Sequence, residues 1–202
     1  MKRNLGRSGI EVSALGMGCW AIGGPFWAGE TPLGWGEVDD EESVRAIYAA
    51  LDRGVTFFDT ANVYGAGHSE RVLGRALAGR REQVVIATMF NALFDETTRQ
   101  VPGADTSPEG IHKACDDSLR RLNTDYIDLY QFHDNGFPAE KAAPVREARE
   151  ALVVLVAVPT TLALTLLERK RRDAASDRAL LGSLGILGFV ARVLIWAVVN
   201  LL

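Results

Sequence analysis

The first 133 residues of this 202-residue chain alternate between short apolar segments and segments with helical spacing. The apolar segments have the length and the apolar content of buried strands. They comprise residues 14–20, 56–61, 84–90 and 127–133. A chain that alternates in this way forms a parallel sheet with its helices packed outside it.

The number of these strand–helix units limits the architecture. A (β/α)8 barrel needs eight units and about 250 residues, so four units predict half of such a barrel. Residues 2–13 alternate between polar and apolar side chains around a turn, which predicts a hairpin before the first unit.

The predicted helices carry start and stop signals. The first begins at Asp39 in an acidic run, which the positive end of the helix dipole favours, and Gly54 ends it. Ser69 is a good N-cap for the second helix. Ser107 followed by Pro108 predicts the start of the third helix.

Composition excludes several function classes. The net charge is −4, and basic residues do not cluster with aromatic ones, so no nucleic-acid partner is expected. Cys19 and Cys115 lie far apart, and no His/Cys cluster has zinc spacing, so we expect reduced thiols and no metal site. A cytoplasmic location is expected for the front domain.

Composition changes at Ala151. Residues 151–167 carry no charge and residues 179–202 carry only Arg192. As helices they would span roughly 25 and 36 Å, against a hydrocarbon core of about 30 Å. We therefore predict a partial barrel over 1–135, a junction over 136–150 and two membrane helices in a tail over 151–202. A pair of buried core helices is the alternative, and residues 179–202 bear a faint resemblance to a membrane helix of the small mechanosensitive channel family.

Three chemically active side chains follow the predicted strands. Asp59 closes the second strand, Tyr64 lies in the loop after it, and His133 ends the fourth strand. Met89 lies near the end of the third strand. Because the carboxyl ends of parallel strands meet at one rim, we expect these residues to converge there. A phenol, an imidazole and a carboxylate together suggest proton transfer to a carbonyl oxygen.

These motifs resemble the aldo-keto reductase family over about residues 1–135. The matching segments are Gly16–Gly24, Gly34–Ser43, Asp59–Glu70, Ala87–Phe90 and Asp125–His133. The resemblance implies a (β/α)8 barrel, NADPH as the hydride donor, an aldehyde or ketone as the substrate, and an Asp, Tyr, Lys and His tetrad. Asp59, Tyr64 and His133 match that tetrad, whereas Met89 occupies the position of the lysine.

The resemblance also indicates where ligands would lie. Trp20 and Asp59 could approach the nicotinamide, although the family holds most of the cofactor with loops after the seventh and eighth strands. Trp27 and Trp35 lie in a loop at the predicted rim, where they either line a substrate pocket or pack in the core. The GxGxxA pattern at Gly16–Ala21 is not followed by a helix, which argues against a Rossmann site.

Three interpretations of the whole chain follow. The first is a truncated reductase that is weak or inactive alone. The second is a membrane-anchored, non-catalytic module, and the third is an accidental fusion of a reductase fragment with a membrane-protein fragment. In each, the open sheet edges of a half barrel favour self-association.

Overall fold

The computed structural model describes residues 1–134 except Arg7, together with 142, 143 and 145. Helices α1 to α3 are Asp40–Asp52, His68–Ala76 and Pro108–Leu122. Strands β1 to β10 are Lys2–Asn4, Glu11–Ser13, Gly16–Gly18, Trp27–Ala28, Thr31–Pro32, Phe57–Asp59, Val85–Phe90, Ala92–Leu93, Gly103–Ala104 and Leu129–Phe132. Short 3-10 helices lie at Ala21–Gly23 and Arg81–Gln83.

The central element is a four-stranded sheet in the order β10-β7-β6-β3, in which all neighbouring strands are parallel. Strand β1 pairs with β2 as the predicted antiparallel hairpin. The parallel sheet and the strand–helix alternation are therefore confirmed for the described residues. Strands predicted over longer segments are shorter in the structure, and the loops after β3 and β7 contain two small hairpins, β4–β5 and β8–β9.

The two faces of the sheet differ. Phe58 packs in the main core with residues of α1 and α2, and Thr88 donates a hydrogen bond to Glu70 of α2 at 2.6 Å. Because side chains alternate along a strand, Asp59 and Met89 point to the opposite face. We call that opposite face the inner face, since it corresponds to the interior of a closed barrel.

Local signals set two of the three helix starts. The Asp39 carboxylate accepts hydrogen bonds from the backbone N–H groups of Glu41 and Glu42 at 2.8 and 3.1 Å. The Ser107 hydroxyl accepts one from Gly110 N–H at 3.0 Å, and Pro108 follows it in the first turn. The prediction that Ser69 caps α2 is wrong: Gly67 is the N-cap, and Ser69 is fully buried within the first turn.

An ion pair joins α2 to α3 behind the sheet. The Glu70 side chain is fully buried, and Arg121 Nε donates to its Oε2 at 2.6 Å. Thr88 of β7 donates to the other carboxylate oxygen. The carboxylate is therefore satisfied from two elements, which offsets the cost of removing its charge from water.

The predicted tail lies outside the described residues. This applies to the candidate spans 151–167 and 179–202, to most of the junction 136–150, and to the resemblance of residues 179–202 to a channel helix. Among the residues that the structure describes, no helix has the length and apolar character needed to cross a membrane. The domain boundaries stay a prediction.

Candidate active site

The predicted site residues lie at one rim of the sheet. Asp59 is the last residue of β6, Met89 is the next-to-last residue of β7, and His133 follows β10. Backbone hydrogen bonds continue beyond the strands: Asn62 N–H donates to the Met89 carbonyl at 3.1 Å, and His133 N–H donates to the Phe90 carbonyl at 2.9 Å. These bonds hold the chain segments that carry Tyr64 and His133 against the end of β7.

Four rings form a continuous contact along this rim. Trp35 meets Trp20 edge-on with centroids 5.5 Å apart, and Trp20 stacks on Tyr64 at 5.9 Å and 22°. Tyr64 meets His133 edge-on at 5.7 Å. We call Trp35, Trp20, Tyr64 and His133 the aromatic row. The structure thus brings together the predicted site residues Tyr64, His133, Trp20 and Trp35.

Trp27 lies outside the row. It belongs to β4, and its backbone forms hydrogen bonds with the segment after β8. Trp27 N–H donates to the Arg99 carbonyl at 3.0 Å, and the Trp27 carbonyl accepts from Val101 N–H at 2.8 Å. Among the described rings, none forms a stacking or edge contact with Trp27. Its predicted place in a substrate pocket stays a prediction.

Burial and a neighbouring acid keep the Tyr64 phenol protonated. Loss of solvent raises the pKa of Tyr64, and the Asp59 carboxylate and the Cys19 thiol raise it further. Loss of solvent also raises the pKa of Asp59. Among the described residues, no Lys or Arg lowers the pKa of either group. Met89 instead contributes a neutral side chain to the apolar cluster against which Tyr64 packs.

Partial burial favours the neutral form of the His133 imidazole. Its partial burial lowers its pKa below the ordinary value, an effect that Asp134 only partly opposes. A neutral imidazole can donate a hydrogen bond from one nitrogen and accept one at the other. Beside a protonated phenol, it can therefore orient a carbonyl oxygen without carrying charge itself.

Ser69 links the loops that carry the site residues. Its buried hydroxyl donates to the Cys19 carbonyl at 2.6 Å and lies 2.9 Å from the Thr60 hydroxyl. Cys19 N–H in turn donates to the Asp59 carbonyl at 2.8 Å. The segment before Trp20 is therefore fixed to the end of β6, where Asp59 lies.

Two glycines bring Trp20 and Tyr64 into contact. Gly65 has φ +60°, and a Cβ atom there would lie 1.8 Å from the Gly23 carbonyl oxygen. A Cβ atom on Gly23 would lie 2.8 Å from the Tyr64 carbonyl carbon. The short helix after Trp20 thus touches the turn after Tyr64 through bare backbone. Sequence reasoning missed this role, because glycine pairs that are distant in sequence give no local signal of their contact.

The structure thus places Asp59, Tyr64 and His133 at one rim of a parallel sheet of strand–helix units. The sequence profile of the "Aldo/keto reductase family" matches residues 14–158. The chain belongs to the aldo/keto reductase family, and the resemblance of the motifs is confirmed.

Known relatives extend well beyond the matched region. Aldo-keto reductase YhdN of Bacillus subtilis is 41% identical over 148 residues, which cover 68% of this chain and 40% of that protein. The structure of aldo-keto reductase AKR11C1 from Bacillus halodurans in its holo form is similar with a TM-score of 0.63 and 36% identity, covering 75% of this chain and 45% of that one. This chain therefore spans less than half the length of these relatives.

A third relative shows a ligand. The structure of an aldo/keto reductase from Klebsiella pneumoniae in complex with NADP and acetate has a TM-score of 0.52 and 32% identity. The similarity covers 71% of this chain and 42% of that one. The shared region thus corresponds to part of a family member whose structure holds NADP.

Proposed function

We propose that residues 1–135 carry the proton-transfer part of an NADPH-dependent reductase of small aldehydes or ketones. The observation that supports this function best is the position of Tyr64, which lies between Trp20 and His133 at the carboxyl ends of the strands. In this function Asp59, Tyr64 and His133 are the catalytic residues, and Trp35 lines the substrate side of the row.

In the proposed reaction, the hydride comes from the cofactor and the proton comes from a side chain at this rim. NADPH, when bound, would supply the hydride that the carbonyl carbon accepts. The neutral His133 imidazole orients the carbonyl oxygen by a hydrogen bond, and the Tyr64 hydroxyl gives that oxygen its proton. The phenolate that remains takes up a proton from solvent, because the pKa of Tyr64 lies above its ordinary value.

The described residues fit one end of the cofactor. Trp20 is 42% exposed and presents a flat ring, and the half-buried Asp59 carboxylate has no cationic partner among the described residues. These two side chains suit a nicotinamide riboside, which offers a planar ring and hydroxyl donors. In the described part of the chain, the arginines that lie over aromatic rings contact Tyr48, Tyr126 and Phe94, not a ring of the aromatic row.

Met89 favours a second interpretation, a binding module without catalysis. General acid–base assistance contributes roughly 10²–10⁴-fold to a rate. Among the described residues, no cation lowers the pKa of Tyr64. We therefore propose weak activity for this chain alone. Anchoring of the module by residues 151–202 and a fusion origin of the chain belong to this second interpretation.

Self-association would supply a more complete site. Strands β3 and β10 are the edges of the described four-stranded sheet. Exposed edges offer unpaired N–H and C=O groups to another chain. We propose that a second copy pairs with these edges.

The first test is an NADPH fluorescence titration of the full-length chain in mild detergent. Saturable binding that Trp20→Ala weakens would support the reductase function. Trp27→Ala is the matched control, because it removes a tryptophan outside the aromatic row and should leave the affinity unchanged. Absence of NADPH binding would contradict the reductase function and leave the non-catalytic module.

A further inference from the structure

We propose that a cavity between α2 and α3 binds a small hydroxylated phosphate monoester, whose phosphate group takes the place of Glu96 between Arg71 and Arg121. The cavity has a volume of about 620 Å³ and is lined by residues of both helices, of β8 and of the loops after β6 and β8. This volume lies within the range of about 300–1,000 Å³ that is typical of ligand sites. Among the described residues that line the cavity, none belongs to the aromatic row, so the site is separate from the proposed reductase site.

Two arginine side chains converge on one carboxylate in the lining of this cavity. Arg71 Nη1 donates to Glu96 Oε2 at 2.9 Å, and Arg121 Nη1 donates to Glu96 Oε1 at 3.2 Å. Both arginines pack against Gly67, where a Cβ atom would lie 3.4 Å from Arg71 Nη1 and 2.6 Å from Arg121 Cδ. The two guanidinium groups therefore lie within reach of a single oxyanion.

Glu96 occupies this position as an internal ligand that can be displaced. It lies in the loop after β8, and its side chain is about half exposed. Exposed ion pairs are weak, because water competes for both charges. Arg121 would keep its place when Glu96 leaves, since its Nε also donates to the buried Glu70. A phosphate group has three outer oxygens and forms strong paired hydrogen bonds with guanidinium groups, so it suits the vacated position.

The remaining charges of the lining favour an anion. Lys113 and Arg120 also line the cavity, and they share the single carboxylate of Asp117. Asp105 is the other acid, and its carboxylate is engaged at the start of α3, where it accepts a hydrogen bond from Ser107 N–H at 2.8 Å. Once the internal carboxylate is displaced, four cationic side chains and two acidic ones line the cavity.

Asn62 indicates that the anion also carries hydroxyl groups. Its side chain lines the cavity and is 2% exposed. Asn62 Nδ2 donates to the Ala92 carbonyl at 3.3 Å, but among the described residues no donor reaches Asn62 Oδ1. Buried acceptors without a donor are rare, because an unmade hydrogen bond is unfavourable. A ligand hydroxyl that donates to this oxygen would satisfy it, which a bare phosphate dianion cannot do.

The test is isothermal titration calorimetry of the full-length chain in mild detergent with glycerol 3-phosphate, at constant ionic strength and without NADPH. We expect saturable binding. Methyl phosphate lacks the hydroxyls and glycerol lacks the phosphate, so both should bind at least about tenfold more weakly, a difference of about 1.4 kcal/mol. Absence of binding, or equal affinity for either comparison ligand, would overturn the proposal. Because NADPH is absent, this outcome does not depend on reductase function.

Variants of the charged residues locate the phosphate group. Arg71→Met should weaken glycerol 3-phosphate binding at least about tenfold. Arg75→Met is the matched control, because Arg75 lies on the same helix, pairs with the exposed Glu41 and should leave the affinity unchanged. Glu96→Gln should strengthen binding roughly two- to fivefold, since it removes the competing carboxylate. Unchanged binding in Arg71→Met or weaker binding in Glu96→Gln would overturn the assignment.

A variant of Asn62 locates the hydroxyl groups. Asn62→Leu should reduce the affinity for glycerol 3-phosphate to that for methyl phosphate, while the affinity for methyl phosphate stays the same. Circular dichroism establishes that each variant is folded. An unchanged preference for glycerol 3-phosphate in folded Asn62→Leu would overturn the role of Asn62.

Discussion

Met89 determines the charge next to the reactive phenol. The pKa of Tyr64 is raised by desolvation and by Asp59, and no described cation opposes either effect. Met89→Lys should lower the pKa of Tyr64 and raise turnover of an aldehyde with NADPH by roughly 10²–10⁴-fold. Steady-state kinetics measures this gain, with Met89→Leu as the neutral control. No gain in Met89→Lys would mean that Tyr64 is not the proton donor.

Asp59 should reduce stability at neutral pH. Desolvation raises the pKa of Asp59 in the folded state, so the folded protein binds its proton more tightly than the unfolded chain does. The free energy of unfolding therefore falls as the pH rises through the unfolded pKa towards the folded one. Asp59→Asn should unfold at a higher urea concentration than the parent at pH 7, and the difference should shrink as the pH is lowered. A difference that is constant with pH would contradict this account.

A substitution at Gly65 tests whether the close backbone contact between Gly65 and Gly23 maintains the stacking of Trp20 on Tyr64. Gly65→Ala would place a methyl group 1.8 Å from the Gly23 carbonyl oxygen, which should separate the two backbones and change the tryptophan fluorescence. Gly79→Ala is the matched control, since Gly79 has φ +73° but no atom within 4 Å of its Cβ position. Both variants lose about 1–2 kcal/mol from the left-handed backbone. Only Gly65→Ala should lose more and alter the emission spectrum.

At the scale of elements, α2 and α3 depend on the buried pair of Glu70 and Arg121. Arg121→Met leaves Glu70 charged and without its cation, which should cost about 3–5 kcal/mol of unfolding free energy. Adding Glu70→Gln should restore much of this, because the amide oxygen can still accept from Thr88. Urea denaturation of the single and double variants measures the coupling. Equal stabilities of the two variants would show that the charge of Glu70 is not what destabilises the single variant.

The elements that could be predicted from sequence are those set by local chemistry. The helix starts at Asp39 and Ser107 were predicted, and each of these side chains bonds backbone N–H groups within its own turn. Ser69 was assigned the wrong role, since its hydroxyl bonds Cys19, which is distant in sequence. Strands β4 and β5 were missed because they also depend on partners distant in sequence: each has two residues, and the Trp27 backbone bonds Arg99 and Val101.

The rim position of Tyr64 and His133 followed from the order of the strands. The stacking that joins Trp20 to Tyr64 did not, because it depends on the contact between Gly23 and Gly65.

At the scale of the molecule, the open sheet predicts that cofactor binding depends on protein concentration. If a second copy pairs with β3 and β10 and completes the site, association and NADPH binding must stabilise each other by mass action. The apparent affinity for NADPH should then rise with the concentration of the chain, and NADPH should raise the sedimentation coefficient measured in mild detergent. An affinity that is independent of protein concentration would show that each copy binds alone. Association without any change in NADPH affinity would place the contact between copies away from the rim that carries Trp20 and Tyr64.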